Sequence, residues 1–262
     1  MTDARGKQTK KAPPATADGT ITLERVEATP PFTHVGLDVC GPLNIRERRT
    51  ELKRWGLMVT CMYSRAVHIE VLDDLSTDNL IQALRCIIAI RGPIKTITSD
   101  NGTNFVGASN ELEKEWNAGN LQNYLLTSNI EWKFNAPLAS NQGGATERMI
   151  RSARAVLSAI ALKYKGRMHT KTLQTAFHEA ANVINSRPLT ATLINSPDEQ
   201  IITPNLLLNM KGNEGALPPA EFPKEAVYGN KRWKVAQAIA QEFWPMWKSE
   251  YLGLCHAKTK MD

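Results

Sequence analysis

Three acidic residues in this sequence stand where a carboxylate could do chemistry. Asp38 interrupts the apolar run His34 to Val39, Asp100 follows the alternating β-branched segment Ile94 to Thr98, and Glu147 heads a long helical pattern after a Gly-rich stretch. A carboxylate inside an apolar strand must be paired, hydrogen-bonded or metal-bound, because burying it alone is prohibitively costly. One at the carboxyl end of a strand sits where open α/β sheets build their sites. A sparse set of carboxylates suits hard divalent cations, which take oxygen ligands and leave room for water and phosphate. Two such cations about 4 Å apart promote displacement at a phosphodiester. Each acid also has a plainer reading. Asp38 can be a satisfied structural acid, Asp100-Asn101-Gly102 ordinary turn chemistry, and Glu147 half of a Glu-Arg pair on a solvated helix face.

The elements that must position these groups follow from hydrophobic periodicity. Val35, Leu37 and Val39 alternate with Gly36 and Asp38 in strand fashion, and Gly41-Pro42 is expected to stop that strand. Arg46 to Lys53 reads as a charged turn, Trp55 to Met62 as a second strand, and Ala66 to Leu72 as a third beyond the Ser64-Arg65 break, giving an antiparallel meander. Ser76 or Thr77 caps an amphipathic helix running to Ile90, ended by Gly92-Pro93. Ile94 to Thr98 then offers the first strand a parallel partner, which sets Asp38 and Asp100 on adjacent strands. A helix opens at Thr103, with a break near Gly119, a short helix to Leu126 and a strand from Ile130 to Phe134.

The loop Asn135 to Gly144 has the composition of a mobile connection. From Ala145 a helix carries an apolar stripe through Ile150, Ala153, Leu157, Ile160, Ala161 and Tyr164. Glu147, Arg151, Arg154 and Ser158 fall in a narrow sector of another face. Another helix spans about Thr170 to Asn185. A Pro-rich linker with a Leu206 to Leu208 anchor follows, then an aromatic helical pattern from Lys231 to Tyr251 that Pro245 is expected to interrupt or kink.

The chain has 262 residues and a formal charge of +6, with 42% hydrophobic and 22% charged residues, so its bulk is globular. The distribution of charge says more than its total. From Glu147 to Arg187 there are eight Lys or Arg against two acids, a surplus equal to that of the whole chain. A basic patch beside a carboxylate site suits a phosphodiester substrate. The four cysteines show no CxxC spacing and read as reduced thiols. No apolar run is long enough to span a bilayer, and the polar N-terminus lacks a signal-like core, so an intracellular protein without a membrane partner is expected.

Taken together, the motifs resemble the retroviral-type integrase catalytic core, and within that group the version carried by BEL/Pao long-terminal-repeat retrotransposons. The resemblance rests on Pro31 to Asp38 (PFTHVGLD) with Gly41-Pro42, on Ser99 to Ala108 (SDNGTNFVGA), and on Trp132 to Asn135 leading to Gly143-Gly144 and Glu147-Arg148. It continues through Ile150 to Arg154, Asn185 to Leu189 (NSRPL) and Thr203-Pro204. The tail from Arg232-Trp233 to Trp247 and Glu250 to Leu252 resembles the small domain that follows the core.

The resemblance implies an α/β, RNase H-like fold: a five-stranded mixed sheet flanked by helices, plus a small partial C-terminal domain. The expected organisation is a disordered basic and Pro-rich arm at 1–28, a catalytic core at 29–190, a linker at 191–228 and the partial C-terminal domain at 229–262. Asp38, Asp100 and Glu147 would be the catalytic triad and would hold two Mg²⁺ or Mn²⁺. Asn104, Gln142, Arg148, Arg151 and Arg154 would contact DNA. The implied reaction is hydrolytic trimming of DNA 3′ ends followed by their joining to target DNA, by a homo-oligomer acting in the nucleus. Departures are visible too. No His or Cys precedes residue 34, so no zinc-binding module is expected in this chain. Ala145-Thr146 replaces a usual aromatic, and the end resembles only part of the C-terminal domain. The alternative is a catalytically impaired, integrase-derived DNA-binding or chromatin-interaction module.

Overall fold

The computed structural model describes residues 29–117, 130–134, 144–164, 168–189, 201–209 and 232–259, with backbone only at 114–117, 144–149 and 252–259. The expected N-terminal arm, the break near Gly119 with its short helix, the loop up to 143 with Gln142, and most of the linker lie outside these residues.

Five strands form one mixed sheet in the order β3-β2-β1-β4-β5. Strand β1 (His34–Glu47) runs antiparallel to β2 (Thr50–Cys61), and β2 antiparallel to β3 (Val67–Leu72). On its other side β1 pairs in parallel with β4 (Thr96–Ser99), and β4 in parallel with β5 (Glu131–Phe134). Helix α1 (Thr77–Arg91) makes the crossover from β3 to β4. It is capped by Ser76, whose side chain accepts the Asn79 N–H, and Gly92 at φ 94 ends it. Helices α2 (Thr103–Asn117), α3 (Gly144–Lys163), α4 (Thr170–Asn185), α5 (Pro204–Asn209) and α6 (Arg232–Thr259) complete the set. This is the RNase H-like arrangement.

The sheet has an apolar cluster on each face, because alternate residues of a strand point opposite ways. Val35, Leu37, Leu57 and Ile97 pack with Leu80, Leu84, Ile87 and Phe105 of α1 and α2. Cys40, Leu43, Ile45, Met58 and Ile69 pack with α3, α4 and α6. At Gly56 side chains from β1 and α4 lie close over the sheet: a Cβ there would lie 2.8 Å from Cys40 Sγ and 2.9 Å from the Phe177 ring. Even one methyl group would force the Cys40 or Phe177 side chain to shift.

Several sequence expectations need correction. Gly41-Pro42 does not stop β1. A cis Gly41-Pro42 bond and a register shift between Cys40 and Leu43 bend the strand, and pairing resumes to Glu47. A bulge absorbs an unpaired Pro that would otherwise end a ladder. Arg46 to Lys53 is accordingly strand apart from Arg48 and Arg49, with Arg48 at φ 55, so β2 starts at Thr50 rather than Trp55. Helix α6 is not interrupted at Pro245, although the sequence allowed either a break or a kink there. Its packing accounts for this: Val235, Ile239, Phe243 and Trp247 are buried in the same cluster as α3 and α4, and Phe243, Trp247 and Tyr251 stack in sequence at centroid spacings of 6.1 Å. Tertiary burial outweighs the local cost of one lost helix bond.

Beyond α4, the run Asn185 to Pro188 is a clamp. Asn185 Oδ1 accepts the Val67 N–H at 2.7 Å and its Nδ2 donates to the Val67 carbonyl at 2.8 Å, so one side chain supplies β3 with the bonds of a missing neighbour strand. Arg187 is buried and donates to the Arg65 and Ile184 carbonyls. Its guanidinium is pushed down to about 10, chiefly by burial. Replacing Asn185 with Ala strands both Val67 groups in the interior at about 1–3 kcal/mol each. Asn185→Ala is therefore expected to lower unfolding free energy by roughly 2–4 kcal/mol in a urea titration.

Candidate functional site

The site is built from the register of two parallel strands. Gly36 pairs with Thr98, and Asp38 and Asp100 each lie two residues further along. Adjacent strands are about 4.8 Å apart, so the two acids are neighbours at the carboxyl end of β4. Since Val35 and Leu37 face α1 and α2, Asp38 faces the α3 side, as does Cys40.

Asp38 is half-buried and fully engaged. Its Oδ1 accepts the Val39 N–H at 2.9 Å, and Arg154 on α3 donates through one nitrogen to both carboxylate oxygens, at 3.0 and 2.8 Å. The side chains of Arg154 and Asp38 are 44% and 29% exposed, so the pair contributes at most about 1 kcal/mol. The pair joins α3 to β1, while the apolar cluster holds the helix in place. Arg151 is exposed one turn earlier, and Glu147 occupies α3 two turns before Arg154, about 10 Å along the axis. The side chains of Glu147 and Arg148 lie outside those described.

Asp100 is held differently. The Gly102 N–H donates to its Oδ1 at 3.0 Å, an Asx turn that explains the Asp-Asn-Gly sequence. A Cβ at Gly102 would come within 3.1 Å of that oxygen and 2.9 Å of Asn104 Oδ1, so the glycine makes room for both. Asn104, in the first turn of α2, is thus beside Asp100. On the opposite face of β4, Ser99 donates to the Asp100 carbonyl at 2.9 Å, and the Trp132 indole N–H donates to Ser99 Oγ at 2.9 Å. A chain of two hydrogen bonds ties β5 to the backbone of Asp100. Nothing in the spacing announced Trp132 or Ser99 as its supports. The signal was the paired register Ile97↔Trp132, which needs the sheet order to be read.

The donor chemistry fits a hard divalent cation. Carboxylate oxygens are the available ligands, whereas the adjacent Cys40 thiol is pushed up to about 11 by burial first and the Asp38 charge second, and stays protonated. The Arg154 guanidinium over both oxygens of Asp38 shows that this position takes positive charge. Among the described residues no three His, Cys, Asp or Glu side chains already converge as a ligand set.

With the geometry in place, comparison with known families is decisive for part of the chain. Residues 29–140 match the integrase core domain family. The matched stretch takes in β1 to β5 with Asp38, Asp100 and Asn104, and stops before Glu147 and α3. Curated proteins offer no match to this chain. Among the described residues, no helix is long and apolar enough to cross a membrane.

Two measurements probe this geometry. Trp132→Phe and Ser99→Ala each remove a bond supporting Asp100, and each is expected to cost about 1 kcal/mol. Because they share that chain, a double-mutant cycle in urea should show coupling of about 0.5–1 kcal/mol rather than additivity. Arg154→Gln removes the cation paired with Asp38. Mg²⁺ affinity measured by calorimetry should then rise by up to about fivefold, the equivalent of an exposed ion pair of about 1 kcal/mol.

Proposed function

We propose that this protein is a polynucleotidyl transferase of the integrase type, which trims DNA 3′ ends and joins them to target DNA. What supports the reading is the parallel β1–β4 register that sets Asp38 beside Asp100, within a stretch that matches the integrase core domain. Asp38, Asp100 and Glu147 are the proposed ligands of two Mg²⁺ or Mn²⁺. The chemistry such a pair supplies is activation of an attacking oxygen and stabilisation of the leaving oxygen. The chain's own residues orient the DNA around that point. Arg148, Arg151 and Arg154 hold phosphates from α3, while Asn104 and Gln142 contact the strand near the scissile bond. Arg154 must exchange Asp38 for phosphate as substrate arrives, which couples filling of the acidic site to DNA contact. The BEL/Pao motifs point to a retrotransposon as the source of the donor ends, with a homo-oligomer as the working unit and the nucleus as the place of action.

The reading is tested with a branched DNA substrate that reports strand joining by the core alone, in Mn²⁺ or Mg²⁺. Wild type is expected to join strands only with metal present. Asp38→Asn, Asp100→Asn and Glu147→Gln should each lower the rate by about 100-fold or more while retaining DNA binding, as expected for lost transition-state stabilisation. A folded wild type that binds DNA but never joins it would sink the enzymatic reading in favour of the impaired DNA-binding module.

A further inference from the structure

The outer half of the β1–β2 hairpin has no part in holding the acids. Strand β1 pairs with β4 only over His34–Gly36, and β2 pairs with β3 only over Trp55–Thr60. Beyond the bulge, Leu43–Glu47 and Thr50–Arg54 pair only with each other, as a two-stranded arm projecting past the sheet. Its inner face is apolar and docked: Leu43 and Ile45 are buried, and Leu52 packs on the same cluster as α3 and α4. The base of the turn is anchored as well. The Arg46 N–H donates to the Met168 carbonyl at 2.7 Å, and Glu47 accepts from Thr170.

Its outer face is different. Residues directly opposed across an antiparallel pair share a face, so Asn44 with Lys53 and Arg46 with Glu51 lie opposite Ile45 and Leu52. Arg46, Lys53 and the turn residues Arg48 and Arg49 are exposed, and no described acid forms an ion pair with any of them. Glu51 is the single acid on that face, Glu47 being engaged by Thr170. Four cations against one acid, on a rigid two-stranded ribbon, form a surface for a polyanion.

We infer that the 43–54 arm is a second DNA-contact surface, set away from the carboxylates, which grips the phosphate backbone of duplex DNA without reading its sequence. The inference rests on the DNA-joining reading above for its choice of polyanion. Arg46 is eight residues beyond Asp38 along β1, at most roughly 26 Å at strand rise and less because the bulge bends the strand. That corresponds to contact within about eight base pairs of the reacting phosphate, at about 3.4 Å per base pair.

The experiment measures affinity of the full chain for a random-sequence duplex of about 30 base pairs over a salt series, alongside strand joining by wild type. The variant Arg46→Gln/Arg48→Asn/Arg49→Gln/Lys53→Gln should bind about tenfold more weakly or worse, and its slope of log affinity against log salt should fall by about 3 to 4. Glu51→Gln should bind a few-fold more tightly, a gain that misfolding cannot produce. Unchanged slope and affinity in both variants, with wild type binding DNA, overturns the arm and leaves the transferase reading standing. The expected changes without strand joining by wild type support the arm and overturn the transferase. A wild type that binds no duplex overturns both.

Discussion

The three-residue parallel ladder between His34–Gly36 and Thr96–Thr98 is the constraint on which the rest of the site depends. A parallel neighbour cannot be reached by a tight turn, so the chain must leave β3, cross the sheet through α1 and return at Ile94. That return brings two carboxylates 62 positions apart in sequence to equivalent positions on adjacent strands. A register slip of one residue would turn a carboxylate toward Leu84 and Ile87, where nothing could solvate it. The buried alternation of Val35, Leu37 and Ile97 therefore fixes the acids as firmly as any contact they make themselves.

Charge balance around Asp38 follows from that placement. A half-buried carboxylate needs a cation, and α3 supplies one through Arg154. The same helix carries Glu147 two turns away, and its buried stripe through Ala153, Leu157 and Ile160 holds it against the sheet. Asp100 needs no such partner, because its Oδ1 is satisfied by Gly102 and its backbone is fixed through Ser99 and Trp132. One acid is held by charge and the other by hydrogen bonds. The first can be released by exchange of cations, the second only by unpicking the end of β4.

Away from the acids, the fold solves two problems of open sheets. Strand β3 is an edge, and Asn185 with Arg187 closes part of it with side-chain and guanidinium bonds to backbone carbonyls and an N–H. The helical layer needs a cover of its own, and α6 supplies it. Phe243 and Trp247 enter the core, while Lys163 and Tyr164 on α3 both bond Glu242, at 2.7 and 2.8 Å. The residues after α4 thus contribute to the same apolar cluster that backs β1.

The sequence by itself determined the elements and their order. Alternation gave the meander, Ser76 and Gly92 bounded α1, and a helix over about 170 to 185 was legible where α4 stands. It also singled out Asp38 and Asp100, since a charge in an apolar strand and an Asp-Asn-Gly at a strand end are local anomalies. What only tertiary structure decided were matters of partnership. Gly41-Pro42 reads as a stop until β2 is seen pairing on both sides of it. Pro245 reads as a break until the aromatic ladder holds the helix together. Arg154 reads only as one of a row of cations until β1 presents Asp38 to it. For the two prolines the physical reason is that local propensity is worth about a kilocalorie per residue and burial or pairing with a distant segment is worth more; for Arg154 it is that no local pattern says which strand a helix face will meet.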